Sequence, residues 1–164
     1  MRCLMAENQR DYILSHVKDH LLEWGCGGTT LYFLQNLQGK KLTSIEHHED
    51  WYNKVRQVCQ FSNHHFHLIS GEHIGSNATP FEENPSGLHD YISFTAENVD
   101  TVLVDGVARS SCLTMAFIKY PKATVFLHDA NRDWYNFAID LYPNKEIIPP
   151  EKDGYPPLLI KLWQ

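Results

Sequence analysis

The sequence predicts an α/β fold: a three-layer sandwich in which helices cover both faces of a seven-stranded, mostly parallel sheet with an antiparallel C-terminal strand. Three observations predict it. Apolar, strand-like runs alternate with segments of helical period, a glycine-rich turn joins the first strand to the helix after it, and the last two strand-like runs stand too close for a crossover helix. Parallel neighbours need such a crossover, so the alternating units form a parallel sheet and the final pair forms a hairpin.

Residues 8–18 carry Tyr12, Ile13, Leu14 and Val17 at roughly helical spacing, and residues 19–24 follow as a strand. The glycines of residues 25–28 break the pattern. A helix is expected over 29–37, ended by Gly39. Residues 41–46 read as the second strand, and 47–60, with Trp51, Val55 and Val58, as a helix. A short third strand is expected over 66–69. Residues 71–98 have no sustained period, so they are expected to form a lid or insertion loop. Strand, helix, strand and helix then follow over 99–104, 110–120, 123–127 and 132–142, before the hairpin strands 146–148 and 158–163.

The 164 residues, 43% hydrophobic and 21% charged, fit a single domain over 1–164. A formal net charge of -6 speaks against a broad basic face for nucleic acid, and no apolar stretch reaches the length that spans a bilayer. The expected partner is therefore a small-molecule acceptor, with no nucleic acid and no membrane; a homo-oligomer stays open. Four cysteines without CxxC spacing fit a reducing, cytoplasmic setting better than a zinc site or a disulfide framework. Ten histidines also lack ligand spacing, so no metal is expected.

The turn in LLEWGCGGTT lets backbone N–H groups approach a ligand where a Cβ would collide. A dinucleotide fingerprint would need a third glycine where Thr30 stands, so hydride chemistry loses ground. Glu23, two residues before Gly25, is placed to meet a cationic amino group rather than a pyrophosphate. Glu46, 21 positions after Gly25, is placed to take two ribose hydroxyls. Each carboxylate alone reads equally well as a surface charge; their order at successive strand ends is what points to a nucleoside cofactor.

These features resemble the motifs of class I S-adenosylmethionine-dependent methyltransferases, which are Rossmann-like. EWGCGGTTLYF, SIEHHEDWY, VLVDGVARSSCL and HDANRDWY more narrowly resemble a methyltransferase-like family with an EWGSGGST-type turn. The resemblance implies S-adenosyl-L-methionine as cofactor. By it, Glu23, Trp24, Gly25, Cys26, Gly27 and Gly28 surround the methionine part, with Thr29 and Thr30 opening the helix. It also implies Glu46 on the ribose with His47 beside it, Ser70, Gly71 and Glu72 flanking the adenine, and Asp105 near the transferred methyl group.

Methyl transfer from a sulfonium is an in-line displacement, so holding the acceptor aligned supplies much of the catalysis. A hydroxyl acceptor also needs a base, for which His128 or Asp129 at the end of the fifth strand is placed. Asp105, Arg109, His128, Asp129 and Arg132 form the expected catalytic cluster. The plainer reading of the arginines is ion pairing with Asp105 and Asp129. Two functions follow as expectations: methyl transfer to a small-molecule or glycan-like hydroxyl, and a non-catalytic cofactor-binding module that acts by protein association.

Overall fold

The computed structural model describes residues 3–71, 87–151 and 158–164. In chain order the elements are α1 (Glu7–His16), β1 (His20–Trp24), α2 (Gly28–Asn36), β2 (Lys41–Glu46), α3 (Glu49–Val58), β3 (His64–Leu68), α4 (His89–Ser93), β4 (Thr101–Val104), α5 (Arg109–Lys119) and β5 (Thr124–His128). A single 3-10 turn at Asp133–Tyr135 leads into α6 (Asn136–Ile139), and β6 (Asn144–Ile148) and β7 (Leu159–Trp163) close the chain. The strands form one sheet in the order β3-β2-β1-β4-β5-β7-β6. Only β7 runs against its neighbours, pairing antiparallel with β5 and β6. The expected reversed strand is thus the last one.

Burial explains why both faces of the sheet need helices. Every residue of β1 and β4 is buried, and alternate side chains serve opposite cores. Leu21, Leu42, Leu103 and Phe126 pack on one face against Ile13 of α1, Phe33 of α2 and Val55 of α3. Leu22, Ile45, Val102 and Val125 pack on the other against Tyr91 of α4, Leu113 of α5 and Ile139 of α6. The helix expected over 132–142 is shorter than its pattern suggested. Its buried residues Tyr135, Ala138, Ile139 and Tyr142 keep the spacing of three to four that produced the expectation.

Asp100 organises the opposite edge of the sheet, where its carboxylate accepts the backbone N–H groups of Lys18, Asp19 and His20 at 2.7–2.9 Å. Although burial opposes ionisation, those donations hold its pKa below the ordinary carboxylate range.

The stretch expected as a lid or insertion loop divides. Residues 72–86 lie outside the described residues, whereas 87–98 pack on the sheet: Leu88 and Tyr91 are buried, the Trp24 indole donates to the Tyr91 carbonyl at 2.9 Å, and the Ala96 N–H donates to the Tyr120 hydroxyl at 2.9 Å. The two flanks meet, since a Cβ on Gly71 would lie 2.4 Å from the Gly87 carbonyl oxygen.

Candidate functional site

Strand register brings the site together. Trp24 pairs with Ile45 and Val104, and Val104 pairs with Leu127. One residue further along, Gly25, Glu46, Asp105 and His128 stand side by side at the carboxyl edge of four adjacent strands. The strand order reverses between β1 and β4, where open parallel sheets gather their ligands.

Between these two strands the backbones touch. Gly25 has φ +87°, and a Cβ on it would lie 2.5 Å from the Gly106 Cα; a Cβ on Gly106 would lie 2.1 Å from the Tyr91 hydroxyl oxygen. Neither position tolerates a side chain. Gly106 and Tyr91 are absent from the expected site, although a glycine directly after the strand-ending Asp105 was a readable signal.

The two acidic residues separate into different roles. Glu23 is 1% exposed and lies beneath the turn, accepting from Thr30 Oγ1 at 2.9 Å and Ser44 Oγ at 2.8 Å. Burial pushes its carboxyl up to about 8, so it is largely neutral at pH 7. Thr30 Oγ1 in turn accepts the Gly27 N–H at 2.8 Å. Glu23 therefore braces the turn from below through one carboxylate oxygen, which takes both hydroxyls. Glu46 stays ionised. Although burial opposes its charge, the His47 side chain at 2.9 Å and the backbone N–H groups of His47 and His48, at 3.0 and 2.9 Å, hold its pKa below the ordinary range. Its other oxygen takes only a long bond from the Cys26 N–H, at 3.3 Å, and one from Cys26 Sγ at 3.4 Å.

Beyond Glu46 opens a groove of about 450 Å³ lined by His47, His48, Glu49, Asp50, Ser70 and Gly71. Three of the residues expected beside the cofactor line it, namely His47, Ser70 and Gly71; Glu72 lies outside the described residues. Trp24 does not join them. Its indole is fully buried under α4, because its strand position faces the core. Thr29 is turned toward Cys3, whose Sγ lies 3.4 Å from its hydroxyl. Trp51 of α3, which the sequence placed only in a helical pattern, donates its indole N–H to the Cys26 carbonyl at 2.6 Å.

At the ends of β4 and β5 the expected cluster assembles. His128 Nδ1 lies 2.8 Å from Asp105 Oδ1. Burial alone would lower the pKa of His128, but the Asp105 carboxylate lifts it above the ordinary 6.5, and the same pairing keeps Asp105 ionised. His128 Nε2 is buried with no hydrogen-bond partner among the described residues. The arginines follow the plainer reading. Arg109 staples the two strand ends, donating to the carbonyls of Gly106 at 2.8 Å and His128 at 2.7 Å and to Asp129 Oδ2 at 3.1 Å. Arg132 meets the same Asp129 oxygen at 3.0 Å. Asp129 itself sits at φ 56°, a conformation that costs a non-glycine residue about 1–3 kcal/mol. Ligand atoms of Asp105, His128 and Asp129 lie within 4.8 Å of one another, yet the protein's own two guanidiniums already balance the carboxylates.

No protein-family model and no curated protein matches the sequence. Solved structures do match the fold. A methyltransferase-like protein from Silicibacter pomeroyi is 16% identical with a TM-score of 0.64, the match covering 99% of this chain and 88% of that one. The N-methyltransferase NodS from Bradyrhizobium japonicum, in complex with S-adenosyl-l-homocysteine, is 12% identical with a TM-score of 0.59, over 94% of this chain and 84% of that one. TrmK of M. capricolum, in complex with the same product, is 15% identical with a TM-score of 0.56, over 96% and 68%. The chain has the Rossmann-like fold of the class I S-adenosylmethionine-dependent methyltransferases.

Proposed function

We propose that the protein is an S-adenosylmethionine-dependent methyltransferase whose acceptor is a small-molecule or glycan-like hydroxyl. The observation that carries the cofactor part is Glu46: an ionised carboxylate at the end of β2, with one oxygen only weakly engaged, between a turn whose Gly25 is too tight for a side chain and its neighbour His47, which lines the groove. A ribose diol donates two hydrogen bonds and suits that oxygen; a phosphate, which only accepts, does not. The groove lined by His47, Ser70 and Gly71 has room for a purine. The structural neighbours that hold the demethylated product support the same reading. When bound, S-adenosylmethionine supplies a methyl group on a sulfonium centre.

The chain's own residues supply the rest. Asp129 is engaged by two arginines, so removal of a hydroxyl proton falls to the Asp105–His128 pair. Asp105 fixes the imidazole so that Nε2 is the position left to take the proton. Because the pairing raises the pKa of His128, the neutral, proton-accepting form grows with pH through a value above the ordinary 6.5, and transfer rises with it. A second reading, a binding module without turnover, is favoured by the mutual engagement of Arg109, Arg132 and Asp129, which leaves them less able to orient an acceptor.

Calorimetric titration with S-adenosylhomocysteine, beside Glu46→Ala, tests the cofactor; equal responses of the two proteins would remove the ribose role of Glu46. Transfer of labelled methyl from S-adenosylmethionine to a panel of hydroxyl compounds tests turnover. His128→Asn is expected to lose about a hundredfold in rate while still binding cofactor.

A further inference from the structure

Two of the three residues in the turn between β1 and α2 are glycines, so it carries little steric information of its own: Gly25, at φ +87°, takes a conformation closed to most other residues, and Gly27 leads into the helix without a side chain. Something outside the turn must fix it. The single side-chain-bearing residue within it, Cys26, is gripped at both ends of its backbone. Its N–H faces the Glu46 carboxylate at 3.3 Å, and its carbonyl accepts the Trp51 indole N–H at 2.6 Å. The Trp51 ring edge also stands 3.9 Å from where a Cβ on Gly27 would be, so it covers the turn as well as bonding it.

Trp51 directly follows His48, Glu49 and Asp50, which line the groove. His48 caps the same helix, its ring nitrogen accepting the Trp51 N–H at 3.4 Å. The first turn of α3 thus forms one wall of the groove and, through Trp51, holds the glycine turn. Such a large aromatic ring, 39% exposed, is not placed there by core packing.

We propose that Trp51 is a positioning residue for cofactor binding, setting the glycine turn and the groove wall at one fixed separation. The inference rests on the cofactor reading above. Its ligand class is the same sulfonium nucleoside, whose two ends must be met by the turn and the groove together.

The test uses the full chain and S-adenosylhomocysteine as probe. Trp51→Phe keeps a covering ring and removes the donor; Trp51→Ala removes both; Gln57→Ala, exposed further along the same helix, is the control. Expected is a three- to tenfold weaker affinity for Trp51→Phe, the order of one hydrogen bond, and a larger loss for Trp51→Ala. The control stays within twofold of wild type. Backbone amide exchange is the second readout: residues 25–28 should exchange faster in Trp51→Phe while α3 keeps wild-type protection. Unchanged affinity and exchange in Trp51→Phe overturn the inference, and so does a loss shared with Gln57→Ala or accompanied by faster exchange throughout α3. If wild type itself fails to bind the probe, the cofactor reading falls and the role of Trp51 falls with it, an outcome visible before any variant is compared.

Discussion

Glu23 and Glu46 are the same residue type at equivalent ends of neighbouring strands, yet burial and hydrogen bonding drive them in opposite directions. Two hydroxyl donors do not compensate Glu23 for lost water, whereas two backbone N–H groups and an imidazole more than compensate Glu46. The sign for stability follows. Glu23 has a folded value near 8 against an ordinary 4.5, so its contribution is complete below 4.5 and is lost as pH rises through 8. Urea unfolding of wild type and Glu23→Gln should therefore diverge with pH, the wild type losing on the order of 4 kcal/mol relative to the variant between pH 4 and pH 9. Parallel curves would show that Glu23 is not buried as described. His128, also raised, behaves alike: its stabilising pairing with Asp105 is present below 6.5 and lost as pH rises through its folded value. His128→Gln should consequently cost more stability at pH 5.5 than at pH 9, measured by thermal unfolding at both.

Elements meet at two glycines. The turns after β1 and β4 approach so closely that Gly25 and Gly106 share space, with the Tyr91 hydroxyl of α4 below them. Gly25→Ala combines a backbone collision with a left-handed φ and should cost more than 3 kcal/mol or prevent folding. Gly106→Ala meets chiefly the Tyr91 hydroxyl. Adding Tyr91→Phe should recover part of that loss, and a double-mutant cycle with no coupling would show that the hydroxyl is not the obstacle. At the other edge, Asp100→Ala leaves three N–H groups of the α1–β1 connection without their acceptor and should cost about 2–3 kcal/mol by denaturant titration.

For the whole molecule, stability and ligand binding are linked. A ligand that binds only the folded chain at 100 times its dissociation constant adds about 2.7 kcal/mol. For 164 residues that is about 5–10 °C in melting temperature. S-adenosylhomocysteine should produce such a rise in wild type and little or none in Glu46→Ala. No helix among the described residues is long and apolar enough to cross a membrane.

Period and spacing in the sequence were enough to determine the alternating elements, the reversed last strand, the glycine turn, and the placing of Glu46, Asp105, His128 and Asp129 at strand ends, because these are local properties of the chain. Only the tertiary structure decided which way each side chain faces and what it meets. It sent the Trp24 indole and the Glu23 carboxyl inward, turned Arg109 into a staple between strands, and brought Trp51, Tyr91 and Gly106 to the turn. Those outcomes depend on strand register and on contacts between residues up to 81 positions apart, and a linear reading carries no distance across such gaps.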